Sequence, residues 1–290
     1  MSVFVLSLVL VAALLHATWN LFAKRAAGGL AFVTLVGIVN VVLYAPFVVA
    51  YWIWRHPILP PAALLWIAGS GLLKTGYALF LQRSYKTGDF SLIYPLARGT
   101  GPLLSTFAAV WLLGERPTPA AMAGGLIIVG SIFFLAGGPM LLKRSAGHTR
   151  IAIAYGIATG VFIAAYTVWD RRGVASLAIA PLIYDAGTTL TGVVLLAPFA
   201  ARRWPEVVRE WREHRLEATG VAGLSSISYI LVLTALAITP VSYIAPVREV
   251  SIVMGAFIGA RRLKEVEGRR RIIASAAMAI APGISKAPGT

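Results

Sequence analysis

The chain contains no cysteine, which excludes a disulfide framework, thiol chemistry and cysteine-ligated metal. Charge is scarce: Asp, Glu, Lys and Arg make up 13 % of the 290 residues, about half the share of an ordinary soluble domain. Acidic residues are scarcest, 11 against 26 basic ones. Enzyme signatures are missing too. There is no HExxH, no P-loop and no Gly-x-Ser-x-Gly, and His56, His148 and His214 are scattered in loops without metal-ligand spacing. No cofactor is expected, and ATP-driven transport would require a separate protein.

What fills the chain instead is apolar: 58 % of residues are hydrophobic and the mean hydropathy is +0.80. These residues fall in runs of roughly twenty, the length that crosses about 30 Å of hydrocarbon as helix. Solid runs, rather than ten-residue alternation, predict helices and not a barrel. The expected class is an all-α polytopic membrane protein. Spans are placed at 3–22, 29–50, 62–82, 90–113, 118–140, 150–169, 176–199, 216–238, 241–260 and 267–286, separated by turn chemistry such as Pro60-Pro61, Pro117-Thr118-Pro119 and Thr239-Pro240. Met1 to Leu15 lacks a basic leader and a small-x-small cleavage site, so it reads as an uncleaved first span.

The chain repeats itself. A shift of 150 residues places Trp19 on Trp169, Asn20 on Asp170, Arg98 on Arg248 and Glu115 on Glu265; a shift of 152 places Gly71 on Gly223 and Tyr77 on Tyr229. Apolar matches would carry no information, but polar and Trp matches at one offset do. Two five-helix repeats follow, 1–140 and 150–290, joined by the loop 141–149. Five is odd, so the second enters the membrane from the opposite side. The ten helices are therefore expected as two inverted five-helix repeats around a central cavity.

A net charge of +15 would suggest nucleic acid in a soluble protein. Here the bases occupy short loops, where they hold orientation and meet anionic lipid headgroups; no nucleic-acid partner is expected. Loops 1–2, 3–4, 5–6, 7–8 and 9–10 hold eighteen Lys and Arg against five on the other side. By the positive-inside rule the eighteen face the cytoplasm, which leaves both termini outside.

Five formal charges lie well inside spans: Lys74, Arg98, Asp185, Arg248 and Glu249. Each is costly there unless it faces protein or water, so each is a candidate for function, with structural ion pairing as the alternative. Arg98 and Arg248 follow prolines in Tyr94-Pro95-Leu96-Ala97-Arg98 and Ala245-Pro246-Val247-Arg248-Glu249. Guanidinium groups beside distorted helices suit a carboxylate or phosphate. His16, Trp19 and Asn20 share one face of span one, and Tyr166, Trp169 and Asp170 repeat that spacing in span six. Such stripes would line a polar cavity, although both tryptophans lie near span ends and also suit an interfacial belt. Lys74, Tyr77 and Tyr229 add polar groups at mid-depth. Gly156-x-x-x-Gly160 and Gly255-x-x-x-Gly259 read as packing motifs within one chain, and a monomer is expected.

The segment Gly88-Asp89-Phe90-Ser91-Leu92-Ile93-Tyr94-Pro95-Leu96-Ala97-Arg98-Gly99, through Leu113-Gly114-Glu115-Arg116, resembles the drug/metabolite transporter superfamily, EamA type. His16-Ala17-Thr18-Trp19-Asn20 to Lys24 is similar to that family's first helix. The resemblance covers essentially the whole chain, with Lys264-Glu265 replacing the Gly-Glu element in the second half. It implies a basket of two inverted five-helix halves in a bacterial inner membrane, with termini inside, opposite to the charge count. Its members include the YddG-type amino-acid exporters. The expected function is export of small zwitterions, with Arg98 or Arg248 taking the carboxylate, Glu249 or Asp185 the ammonium, and the aromatics the side chain. Carriers of phosphorylated metabolites or phosphonates and multidrug exporters share the fold. A membrane enzyme or lipid flippase is the alternative from another class.

Overall fold

The computed structural model describes residues 1–26, 29–87, 90–135 and 147–251. Among these the chain is entirely helical: α1 (Val3–Ala26), α2 (Gly29–Arg55), α3 (Ala63–Thr87), α4 (Phe90–Leu113), α5 (Pro119–Leu135), α6 (Gly147–Arg171), α7 (Pro181–Arg202), α8 (Trp204–Ile238) and α9 (Val241–Arg248). Five segments are long and apolar enough to cross a membrane: Val3–Ala23, Gly29–Arg55, Ala63–Leu81, Pro181–Arg202 and Trp204–Ile238. The chain is a multi-pass membrane protein. Its outer faces agree, since Val42, Phe47, Leu64 and Val194 stand more than half exposed, as lipid-facing side chains do.

Helix ends follow local chemistry. α4 stops where Gly114 takes φ +66, a left-handed position that glycine occupies without a Cβ clash. Pro181 and Pro205 open α7 and α8, where a missing N–H costs nothing. α9 ends two residues past Pro246, and the Glu249 N–H turns back to the Pro246 carbonyl, as expected where a proline interrupts the helical ladder.

Several boundaries differ from the sequence expectation: α1, α2 and α3 run to 26, 55 and 87 rather than 22, 50 and 82, and two later starts move as well. Span seven begins at Pro181 rather than 176, because Arg172–Ser176 continues α6 as a π turn. The eighth helix begins at Trp204 rather than 216. It runs through a kink at His214, with φ −130 and ψ 31, so a surface turn precedes the span. The tenth expected span, the connecting loop 141–146 and the end of the ninth lie outside the described residues.

The helices interlock across the chain's midpoint. α1 packs along α8 and α3 along α6; α2 meets α7 and α8, and α3 meets α7; α4 meets α6 and α9, and α1 meets α9. Exchanging each of α1–α4 with the helix five positions later returns the same set of pairs. Burial is lopsided along the membrane normal. The large apolar core, including Val5, Val9, Ile67, Tyr184, Leu233, Leu236 and Ile244, gathers at the end of loops 2–3, 6–7 and 8–9. A smaller cluster of Phe32, Leu35, Val207, Ala218 and Val221 sits at the opposite end, and the space between is a cavity.

Candidate functional site

A cavity of about 260 Å³ lies among α1, α2, α3, α6, α7, α8 and α9. Its walls come from the C-terminal half of α1, the N-terminal half of α2 and the middles of α3, α7 and α8. That geometry directs it toward the end of the bundle bearing loops 1–2, 3–4 and 7–8, the end rich in Lys and Arg. Eight sequence-predicted residues line it: His16, Trp19, Lys74, Tyr77, Tyr166, Asp185, Tyr229 and Arg248.

Lys74 is the hub of one wall. Its ammonium donates to Thr188 Oγ1 at 2.9 Å, lies 3.7 Å from Asp170 Oδ2 and sits 4.1 Å above the Tyr229 ring. Asp170 is fully buried, and it accepts hydrogen bonds from Tyr184 Oη at 2.9 Å and from Tyr229 Oη. A carboxylate taken out of water must be paired and hydrogen-bonded in this way. The second buried acid, Asp185, is held differently. Ser226 Oγ donates to its Oδ2, Asn40 Nδ2 donates to Ser226 Oγ at 2.7 Å and to Ala222 O at 2.8 Å, and the Thr188 hydroxyl donates to the Asp185 carbonyl at 2.9 Å. Asp185 is thus anchored by hydroxyl and amide groups, and it lines the cavity.

Arg248 stands on α9, only 5 % exposed. It donates from one terminal nitrogen to Tyr166 Oη at 3.1 Å, and its Nε lies 3.9 Å from Glu249 Oε1 without donating a hydrogen bond. An arginine carries five donors in a fixed fork and does not lose its proton. Donor capacity toward the cavity therefore remains. Tyr166 also packs edge-to-face with Tyr77 and Tyr229, with centroids 5.7 and 6.1 Å apart, so three aromatic rings form a continuous wall beside the guanidinium.

The other predicted residues fall elsewhere. Asn20 turns back on its own helix, its Nδ2 donating to His16 O at 2.7 Å, and does not line the cavity. Trp169 faces the closed end, where its Nε1 donates to Trp66 O at 2.8 Å and its ring packs at a tilt of 42° against Trp66, centroids 4.3 Å apart. Glu249 is buried beside Arg248 rather than on the cavity wall. Tyr94 and Arg98 have side chains outside the described residues. Asn40 and Thr188 were not anticipated. A single Asn in an apolar helix and a Thr among threonines carry no spacing signal, and only the fold reveals that both brace Asp185 and Lys74.

The closed end is sealed by tight packing. Tyr184 Oη also reaches Trp66 O at 3.2 Å. A Cβ at Gly69 would lie 2.5 Å from the Trp169 ring, and one at Gly173 would lie 2.4 Å from the Tyr184 ring, so only glycine lets these rings approach. Glu115 accepts from the Val241 and Ser242 N–H groups at 2.7 and 2.9 Å, capping α9 as an acid at a helix N-terminus should. Arg171 donates to the Leu236 and Ala237 carbonyls, neutralising the C-terminal end of α8.

Residues 3–137 match the EamA-like transporter family. Multidrug transporter PA4990 of Pseudomonas aeruginosa is 30 % identical over 89 residues, which are 30 % of this chain and 74 % of that protein. The chain belongs to the EamA-like transporter family. A solved crystal structure of a protein 18 % identical superposes with a TM-score of 0.73, covering 96 % of this chain and 98 % of that one; at that identity the likeness is one of fold. Family membership and the relative's name both point to transport rather than enzymatic catalysis.

Proposed function

We propose that this member of the family is a secondary transporter that exports small zwitterionic metabolites, amino acids above all, across the inner membrane. The observation that carries the reading is a small cavity with basic and acidic groups on separate helices, Lys74 being already engaged by Asp170 and Thr188. Arg248 offers a guanidinium from α9, Asp185 offers a carboxylate from α7, and Trp19, Tyr77, Tyr166 and Tyr229 supply aromatic surface between them. The volume, about 260 Å³, falls just below the range of about 300–1,000 Å³ typical of drug-sized ligands. Arg248 takes the substrate carboxylate, Asp185 the ammonium and the rings the side chain. Arg98 joins this site if it follows its repeat partner.

The architecture we infer is ten helices in two inverted repeats, 1–140 and 150–290. Two observations support it: the polar matches at one offset, and helix pairings unchanged by exchange of the halves. In addition, 89 residues make up 74 % of the multidrug transporter relative, so that protein is shorter than half of this chain, as a single repeat unit is. The cavity then opens to the cytoplasm and is closed on the far side by Trp66, Trp169 and Tyr184, one state of an alternating-access cycle. The basic loops support both termini outside, opposite to what the family resemblance implies. A cytoplasm-only reporter inserted at Arg209 is active under this orientation and silent under the reverse one.

A second reading, multidrug export, is favoured by the relative's name and by the aromatic wall. The test is counterflow in liposomes loaded with amino acids, sugar phosphates or organic cations. Exchange of amino acids, abolished in a folded Arg248→Gln variant, supports the first reading. Exchange of organic cations alone, indifferent to Arg248, supports the second and overturns the first.

A further inference from the structure

The segment between the seventh and eighth spans was expected as a basic loop, yet it is helical from Trp204 and is separated from the spanning part of α8 by the His214 kink. Its apolar residues are Trp204, Val207, Val208 and Trp211, at i, i+3, i+4 and i+7, one stripe of a helix. Val207 is buried against the ends of α1, α2, α7 and α8, in the cluster with Ala26, Phe32, Leu35 and Ala218. That contact lays the helix across the end of the bundle rather than letting it project into water. Trp204 and Trp211 lie on the same stripe to either side of Val207 but remain 50 % and 43 % exposed. Protein therefore covers the middle of the stripe and leaves both tryptophans uncovered.

The remaining faces are charged. Arg202, Arg203, Arg209, Arg212 and Arg215 are all exposed, as is Arg25 at the end of α1 nearby. Of the three glutamates between them, Glu210 is engaged by His214 at 3.1 Å, while Glu206 and Glu213 complete the helix. Arginine therefore outnumbers acid at this end. The opposite end shows a different mixture: Trp54 and Trp111 stand 79 % and 85 % exposed, with Arg55, Arg116, Arg171 and Arg172 at that end and Arg171 engaged by the carbonyls that end α8. Tryptophan marks both interfaces of the bilayer, and arginine concentrates at one.

We propose that residues 204–213 form an interfacial helix that binds the anionic phospholipid headgroups of the leaflet at the cavity's open end. Trp204, Val208 and Trp211 enter the headgroup–acyl boundary, and Arg209 and Arg212 reach the phosphates, the arrangement that amphipathic surface helices adopt. Charge complementarity selects the occupant. An apolar stripe alone would suit any amphiphile, but a stripe bordered by exposed arginines at one end of a membrane-spanning bundle suits negatively charged lipid. The inference depends on the chain spanning a membrane and not on which solute it carries.

Because the chain has no cysteine, single cysteines can be introduced at 208, 209, 211, 212 and 213 of the full-length protein and spin-labelled without background. The labelled proteins are reconstituted into vesicles of phosphatidylcholine, alone or mixed with phosphatidylglycerol, and collision with dissolved oxygen is compared with collision with an aqueous nickel chelate. The expected result is oxygen preference at 208 and 211 and nickel preference at 209, 212 and 213. The contrast grows with phosphatidylglycerol, shrinks on addition of salt, and loses its phosphatidylglycerol dependence in an Arg209→Gln/Arg212→Gln background read at 208 and 211. Uniform nickel preference along the segment overturns the proposal, as a solvated helix. A periodic pattern indifferent to phosphatidylglycerol and salt also overturns it, assigning the stripe to contact with protein or neutral lipid. Neither outcome bears on the counterflow assay, so failure here leaves the transport reading intact.

Discussion

The stripes His16/Trp19/Asn20 of α1 and Tyr166/Trp169/Asp170 of α6 share one spacing and meet opposite fates. On α1 the stripe is loose: Trp19 lines the cavity, packs on the small apolar cluster of Phe32 and Val221 and meets His16 edge-to-face at 4.7 Å, and Asn20 bonds within its own helix. On α6 the stripe is locked: Trp169 is wedged against Gly69 and Trp66, and Asp170 gathers Lys74, Tyr184 and Tyr229. Under the inverted repeat we propose, equivalent positions lie at opposite ends of the membrane, and one loose and one locked stripe is what a transporter open at one end would show. On that proposal the two stripes are the two gates, and the state of the molecule decides which is shut.

The sharpest way to break this comparison is at Asp170. An Asp170→Ala change leaves Lys74 and two tyrosine hydroxyls facing the space that the carboxylate occupied. Breaking a buried pair costs about 3–5 kcal/mol, and the 22 % exposure of the Lys74 side chain places this case at the low end. A large drop in detergent melting temperature is expected, partly restored in the double variant with Lys74→Met. Equal melting of the single and double variants would remove the ion pair from the account of the locked stripe.

Gly69→Ala acts on the same gate through shape alone. The new methyl would lie 2.5 Å from the Trp169 ring, and overpacking of this kind costs about 1–3 kcal/mol. Gly220→Ala, whose Cβ would meet the Phe22 ring at 3.1 Å near the open end, is the control and should cost less. The reading is the detergent melting midpoint, which should fall further in Gly69→Ala than in Gly220→Ala. Glu115→Ala removes two hydrogen bonds from the start of α9 and should destabilise by about 1–2 kcal/mol, as loss of an N-cap does. Melting midpoints check that value, and Glu115→Gln should fall between the two.

Most of the fold was legible in the sequence, because its rules are those of the bilayer. The starts of α1 to α5 and α9 and the last residues of α4, α7 and α8 lie within a few residues of the expected breaks, set by proline, glycine and charge. Where the reading failed, tertiary packing had overridden local pattern. Nothing in Trp204–Glu213 is apolar enough to span, yet Val207 docks it as a helix. Half of the site was legible for a different reason: Lys74 and Arg248 are conspicuous in hydrocarbon, and Tyr229 is conspicuous in the repeat. Trp169 was misplaced because the repeat matches positions and not conformational states, and its partner Trp66 has no counterpart at the offset. Asn40 was invisible because its role lies entirely in a contact with Ser226, 186 residues away.

The smallest expected effect tests the loose stripe. Asn20 and Asp170 coincide in the repeat, so a purely symmetric account predicts comparable losses on removing either. The hydrogen bonds say otherwise. The Asn20 amide meets only the carbonyl of His16 one turn earlier, at 2.7 Å, on a part-buried face. That carbonyl lies within a continuous helix, and back-bonding of this type slightly weakens helices rather than supporting them. Asn20→Ala should therefore change the melting midpoint by no more than the equivalent of about 0.5 kcal/mol, in either direction, as surface substitutions do. Its consequence for transport is more informative than its stability. If the α1 stripe locks when the molecule opens at the other end, Asn20 gains partners in that state and not in this one. The variant should then melt normally yet turn over more slowly, with the loss appearing in the rate of exchange and not in the apparent affinity. A variant normal in both would show that Asn20 takes no part in the second gate, and that the two stripes match in sequence without matching in use.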